Sequence, residues 1–330
     1  RKESSAASDV YKRQSQGVIA DLTALMEEND YDDSELASQI QVDGSTYMIP
    51  VVNFVYPMFT NDTLLADAGV TAPPTTRTEF ADAASKVSAL GGDVSGWVLP
   101  LSLEAPNGVQ NDVMSWVWAS GGSMLKDGQP DLTNDDVTSA VDFIGGMWDD
   151  GSIASGSFTM KEQDKVEEFT NGRVGMMIDS LAHINLIRET NPDLQFSISA
   201  LPAEDGYDGE RGIPYASWGI GVAENSEHKD AAFKLVEFLM SEQTNSELST
   251  MAKAFPGNSK SVPDFVNDDE LFKQAFDIYQ AGYPANEFTG LPVAEELMRL
   301  LGEQLQSAFD GQQSIDDALK TAQGAWEAEF

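Results

Sequence analysis

Thiol chemistry is closed to this chain. It has no cysteine, so disulfides, thiolate metal sites and cysteine nucleophiles are excluded together. There are two histidines, His183 and His228. A Ser-His-Asp relay or a histidine metal site would have to rest on one of them, and neither sits in a motif that supplies a positioned partner. His228 lies in ENSEHKD, which reads as a polar loop before a helix, and His183 lies in a mixed segment. Carboxylates are so abundant, 55 Asp plus Glu, that a pair for glycosidic hydrolysis can be chosen anywhere, and the choice carries no information. No Asp-x-Asp-x-Asp-Gly calcium loop occurs. No catalytic residue, metal site or cofactor is therefore expected; a secreted hydrolase is the weakest of the readings considered.

The charge balance restricts the partners. Against those acids stand 19 Lys plus Arg, a formal net charge of −36. Nucleic acid and anionic membrane surfaces are excluded as partners on that ground. The acids are spread through the chain, which suits solubility and self-repulsion better than a dedicated cation site. No segment approaches the run of roughly 20 apolar residues that a membrane span needs. YMIPVVNFVYPMF at 47–59 comes nearest, but it is short and holds two prolines, so it reads as a buried strand and its exit. A length of 330 residues favours two domains over one core.

The elements follow from periodicity. Residues 1–16 are expected to be a leader foreign to the fold, because RKESSAASDVYKRQ is polar, lacks apolar period and has no apolar signal region. From Gly17, Val18, Leu22, Leu25 and Met26 recur on one helical face. Asp43-Gly44 turns into a strand, Tyr47 to Val52. Thr76 and Glu79 form a capping box for a helix to Leu90, with Phe80, Ala84 and Val87 inward and Gly91-Gly92 as the stop. Trp97–Leu101, Val174–Ile178, Phe196–Leu201 and Trp218–Ala223 read as strands. Asn134 caps a helix carrying Val137, Val141, Ile144 and Trp148, and another runs from about Asp230 to Met240. Pro292 opens a helix with Val293, Leu297, Leu301 and Leu305, and Ser314 caps the last one, with Asp316 and Asp317 opposing the helix dipole. Alternating strands and helices make the class α/β.

Several segments, in order, resemble the family 1 extracellular solute-binding proteins, the group that includes maltodextrin-binding proteins. DGSTYMIP at 43–50, TNDTLLADAGV at 60–70, PPTTRTEF at 73–80 and FTNGRVGMM at 169–177 are similar to that family's motifs, as are ALP at 200–202, SWGI at 217–220 and GQQSIDDAL at 311–319. The resemblance implies a two-lobed periplasmic-binding-protein fold with hinge crossovers, an interlobe cleft and closure around a ligand. Lobe one is expected at 17–52 and 255–285, lobe two at 54–253 and 286–330. Family members carry a further segment before the helix near Gly17, so the chain is expected to be an N-terminally truncated fragment with an incomplete lobe one.

The same resemblance implies the function: an extracytoplasmic protein, periplasmic or anchored at the cell surface, that delivers a sugar or oligosaccharide to the permease subunits of an ABC importer and works as a monomer. A neutral sugar is the expected solute; a polyamine, peptide or metal chelate on the same fold is the alternative. Sugar sites combine aromatic faces with planar polar groups. At the hinge the resemblance implies Asn53, Phe54 and Tyr56, with core packing as the other reading of Phe54. Glu104, Asn107, Gln110 and Asn111 lie in the loop EAPNGVQN, where plain turn chemistry is the other reading. Trp116 and Trp118 face different sides of a helix, so at least one belongs to the core. Trp218 opens a strand at a family position that often presents an aromatic to the ligand, against core packing. Asp179 and Ser180 follow the strand VGMMI. Where maltodextrin binders carry a stacking Trp, this chain has Leu181-Ala182-His183, which argues against a long maltodextrin.

Overall fold

The computed structural model describes residues 17–330 apart from 43, 290 and 292. The expected leader at 1–16, the Asp43 end of the expected turn and the Pro292 helix start lie outside the described residues. The chain forms two compact units, one holding the chain through Val55 with Tyr215–Phe276 and Asn286–Ala294, the other Tyr56–Pro214, Asp277–Ala285 and Glu295–Phe330. These bounds differ from the expected ones chiefly at 215–253, which joins the first unit rather than the second.

Strand pairing explains the difference. In the first unit the strand Ser45–Val55 is central. It pairs antiparallel with Ile40–Val42, with Phe255–Pro256 and with the 215–220 part of Gly212–Ile220. The register sets Val52 opposite Trp218, Asn53 opposite Ser217 and Phe54 opposite Ala216. The helix Lys229–Met240 turns Phe233, Val236 and Met240 onto Leu22, Leu25, Met26 and Ile49, all buried. A polar clamp closes this core: Asn245 donates to the Val51 carbonyl at 2.9 Å, and Asn258 donates to the Met240 carbonyl at 2.8 Å and, from its backbone, to Asn245 Oδ1 at 2.9 Å. Gly257 beside it is obligatory, since a Cβ there would lie 1.8 Å from the Pro50 carbonyl oxygen.

The first helix is shorter than its periodicity suggests. It runs Leu22–Glu28 behind an Asp21 cap, and Val18 is exposed. Ile19 bridges Ala223 instead, so the residues before the cap follow a sheet edge.

The second unit is built on a four-stranded sheet in the order Ser95–Trp97, Val174–Ile178, Met58–Asn61, Phe196–Ser199. The first pair is parallel and the others antiparallel. All five residues of Val174–Ile178 are buried, as the near-continuous apolar run of a doubly covered strand requires. The helix Arg77–Ser88 forms with both halves of the Thr76/Glu79 capping box and seats directly on Gly96, where a Cβ would meet the Ala84 carbonyl oxygen at 2.2 Å. Phe80, Trp97, Trp116 and Phe143 interlock edge to face, with Phe80–Trp116 and Trp116–Phe143 centroids 4.8 Å apart. The helices Asp135–Asp149 and Ile315–Glu327 start at the expected caps, Asn134 and Ser314. Ala294–Phe309 buries Leu297, Leu301 and Leu305 completely. The Trp97 strand ends at once: Val98, Leu99 and Leu101 are buried without strand pairing, because Pro100 has no amide hydrogen for a ladder.

Candidate functional site

In the first unit the register puts Trp218 and Phe54 on one sheet face, since directly paired residues point the same way. Their rings meet edge to face, 5.3 Å between centroids at 62°. Trp218 is 68% exposed. Burial of a large aromatic is worth some 2–3 kcal/mol, so a ring left this open on a strand gives up stability that a core position would provide. Asn53 points to the opposite face. It is buried, and its amide donates to the Pro256 carbonyl at 3.2 Å; it serves the sheet.

In the second unit charge is collected where strand Val174–Ile178 ends. Lys165, fully buried on helix Glu162–Thr170, donates to the Ile178 carbonyl at 2.6 Å and lies 2.8 Å from Glu162, 3.1 Å from Asp112 and 3.9 Å from Asp179. Burial opposes its charge, yet the surrounding carboxylates hold its pKa well above the usual lysine value. Three carboxylates to one ammonium are too many acids for a buried site. Burial accordingly pushes Asp112 far above the carboxylate range, helped by Glu162 and Asp179. Asp112 comes from a single π-helical turn, Val109–Val113, a rare geometry that often marks functional positions. Asp179 accepts from His183 Nδ1 at 2.7 Å. Half-buried Tyr56 stands over the same acids; burial, then Glu162 and Asp179, raise its hydroxyl pKa. Ser180 Oγ accepts from the Ala182 amide at 3.3 Å, at the start of helix His183–Thr190.

Residues 3–274 match the family model of bacterial extracellular solute-binding proteins. This chain belongs to that family. A binding protein of Brucella abortus is 28% identical over 287 residues, covering 85% of this chain and 67% of the relative. Two solved structures share the fold. The cyclic α-maltosyl-1,6-maltose binding protein of Arthrobacter globiformis matches at TM-score 0.80 and 20% identity, over 97% of this chain and 82% of that one. An ABC transporter solute-binding protein of Thermotoga lettingae, bound with α-D-tagatose, matches at TM-score 0.76 and 18% identity, over 99% and 84%. The two-lobed periplasmic-binding-protein fold expected from the sequence is thus the fold of this solute-binding protein. No helix among its described residues is long and apolar enough to cross a membrane.

The expected site residues divide sharply. Trp218 is exposed and Phe54 lies against it. Tyr56 and Asp179 lie with the buried charges of the second unit, and Ser180, buried beside Asp179 in the chain, accepts from the Ala182 amide. Trp116 is a correction: it is 0% exposed and locked among Phe80, Trp97 and Phe143, and Trp118 is buried as well. Asn111 and Gln110 are also buried, Gln110 donating to Asn111 Oδ1 at 3.0 Å. The loop EAPNGVQN gives way to helix from Asn107 onward, so these amides turn inward instead of lining a loop. Glu104 is exposed and paired with Lys161 at 2.8 Å, and Asn107 is exposed in the turn that opens the helix. Sequence reasoning missed Lys165, Asp112 and Glu162. One signal was available: Lys165 shares the apolar helical face of Val166 and Phe169, where a lysine needs buried partners.

Proposed function

We propose that this solute-binding protein takes up a sugar or oligosaccharide outside the cytoplasm, as a monomer, and hands it to the permease subunits of an ABC importer. The observation that carries the reading is Trp218, a tryptophan 68% exposed on a strand and braced by Phe54. Such a ring offers a pyranose an apolar face to stack on. The neighbours bound to tagatose and described as binding a cyclic maltosyl-maltose support the class. A net charge of −36 favours a neutral sugar over an anionic one.

Titration calorimetry with tagatose, maltose and cyclic maltosyl-maltose, alongside spermidine and triglycine, tests the reading. A sugar is expected to bind with micromolar affinity, about −8 kcal/mol. Binding of spermidine or triglycine without any sugar would leave a binding protein but reject the sugar class.

A further inference from the structure

Strand Met58–Asn61 of the second unit has different chemistry at its two ends. At its start Pro57 accepts from the Asp179 amide and Met58 faces Ile178, beside the buried charges. Past its other end lies a cavity of about 420 Å³, lined by residues of 60–73 and by Ser197, a volume within the range of small-molecule sites. The strand register builds its floor. Thr60 pairs directly with Ser197 on strand Phe196–Ser199, so the two hydroxyls share a face and meet at 2.8 Å. Ser197 Oγ donates to Asp62 Oδ1 at 2.7 Å. Each hydroxyl has one hydrogen. Ser197 gives its own to the carboxylate, which leaves Thr60 to give its own to Ser197. The longer contacts of Thr60 Oγ1, 3.4 Å to Asp62 Oδ1 and to the Ser197 carbonyl, also end on acceptors. Both hydrogens are therefore spent within the trio, and this floor offers the cavity lone pairs and one negative charge. Asp62 is not consumed by the helix it opens, Asp62–Asp67, because Asn61 caps that helix by accepting from the Leu64 amide at 3.1 Å. Asp62 is exposed and, among the described residues, pairs with no lysine or arginine. Leu65, Ala66, Val70, Ala72 and Pro73 supply apolar walls.

We propose that this cavity is a second binding site, for a small primary ammonium carried on a short apolar chain. The ammonium donates to the Asp62 carboxylate and to the remaining lone pair of Ser197 Oγ, and its chain lies against Leu65, Val70 and Pro73. An ammonium has three hydrogens and no lone pair, the complement of a floor that only accepts. An alcohol of the same size brings no charge, and a quaternary ammonium brings no hydrogen. A carboxylate meets Asp62 as a like charge. A bare ammonium ion leaves the apolar walls wet. The net charge of −36 draws cations toward the surface in general; the walls and the paired hydroxyls select one kind of cation. The site is independent of the solute reading above and stands whether or not the transported solute is a sugar.

The experiment is a methyl-detected NMR titration of the parent, D62N and A72W with n-butylammonium, n-butanol, tetramethylammonium and butyrate. In the parent, n-butylammonium is expected to shift the methyls of Leu65, Val70 and Ala72 saturably, with a Kd of about 1 mM or tighter. Butanol and tetramethylammonium are expected to bind at least about tenfold more weakly, the loss of one charge-assisted hydrogen bond, and butyrate not at all. D62N should weaken n-butylammonium about tenfold for the same reason. A72W fills the cavity but keeps Asp62, and it should abolish the saturable shifts. Melting temperature checks that each variant folds, and A66W, on another wall, repeats the blocking test if A72W does not. No saturable shift at Leu65 and Val70 in the parent overturns the assignment, as does a D62N protein that binds like the parent. Parent-like binding to the blocked variants would put the ammonium on an exposed carboxylate outside the cavity and also overturns it. So do amine-induced shifts at the Trp218 indole that leave Leu65 and Val70 still, since the amine would then occupy the solute site. The sugar panel decides the solute reading separately, whatever n-butylammonium does.

Discussion

Trp218 in the first unit and His183 in the second are both rings offered to solvent, but they are held by opposite means. Trp218 is placed by backbone pairing with Val52 and steadied by one aromatic edge, Phe54. No charge takes part. His183 is placed by a chain of charges, Asp179 then Lys165 then Asp112 and Glu162, most of it buried. A ring held by a sheet can be removed without harm to the sheet. A ring held by buried charge depends on a network whose failure reaches the core. The first arrangement separates the placing of an exposed ring from stability, and the second couples the two.

The largest expected effect tests the coupled side. K165M leaves Asp112, Asp179 and Glu162 without their cation, and removing one partner of a buried ion pair costs about 3–5 kcal/mol. Urea unfolding should show a loss of that size; a loss under about 1 kcal/mol would mean that the network is solvated and the contrast false. Next, W218A should weaken solute binding by about 2 kcal/mol or more, roughly thirtyfold, while unfolding stability changes by less than about 0.5 kcal/mol. Unchanged affinity with lost stability would make Trp218 a packing residue and reverse the contrast. F54A removes the brace and should cost about 0.5–1.5 kcal/mol of binding, measurable as a smaller shift in the same titration.

The smallest effect concerns pH. His183 has its folded pKa raised above an unfolded value near 6.5. The stability it contributes is therefore fully present below about pH 6.5 and is lost as pH rises through the folded value. Melting temperature followed from pH 5.5 to 9 should fall more steeply in the parent than in H183Q. Parallel curves would place the ring outside the network.

Local chemistry made much of this fold legible. The Thr76/Glu79 box, the Asn134 and Ser314 caps and the apolar run at 174–178 each state their element within a few residues, and each is found where it is expected. Strand Gly212–Ile220 was legible only at its end: the expected strand Trp218–Ala223 overlaps it at 218–220 and overruns it by three residues, and Pro214, which has no amide hydrogen for a ladder, helps to hide its start. The unit assignment of 215–253 was not legible at all, since it depends on pairing with residues some 160 positions earlier in the chain. At the site, Trp218 stood out by type and position, and the structure leaves it exposed. Of Trp116 and Trp118 the sequence marked at least one as core without saying which; the burial of both follows from tertiary packing, Trp116 meeting Phe80, Trp97 and Phe143. Lys165 escaped notice because its four oxygen partners come from 112, 162, 178 and 179; a single lysine in an acidic helix looks like a solvated charge until those segments converge.

Each unit is assembled from separated stretches of chain, and this sets a timetable for the ribosome. The first unit needs Asn286–Ala294 to be complete, and the second needs its last helix, Ile315–Glu327, with Trp326 fully buried. At about 5–20 residues per second, roughly 12–50 s pass between the emergence of Val55 and that of Ala294. Through that interval the nascent strand Ser45–Val55 waits without its later partners, with its apolar residues open to whatever holds unfinished chains.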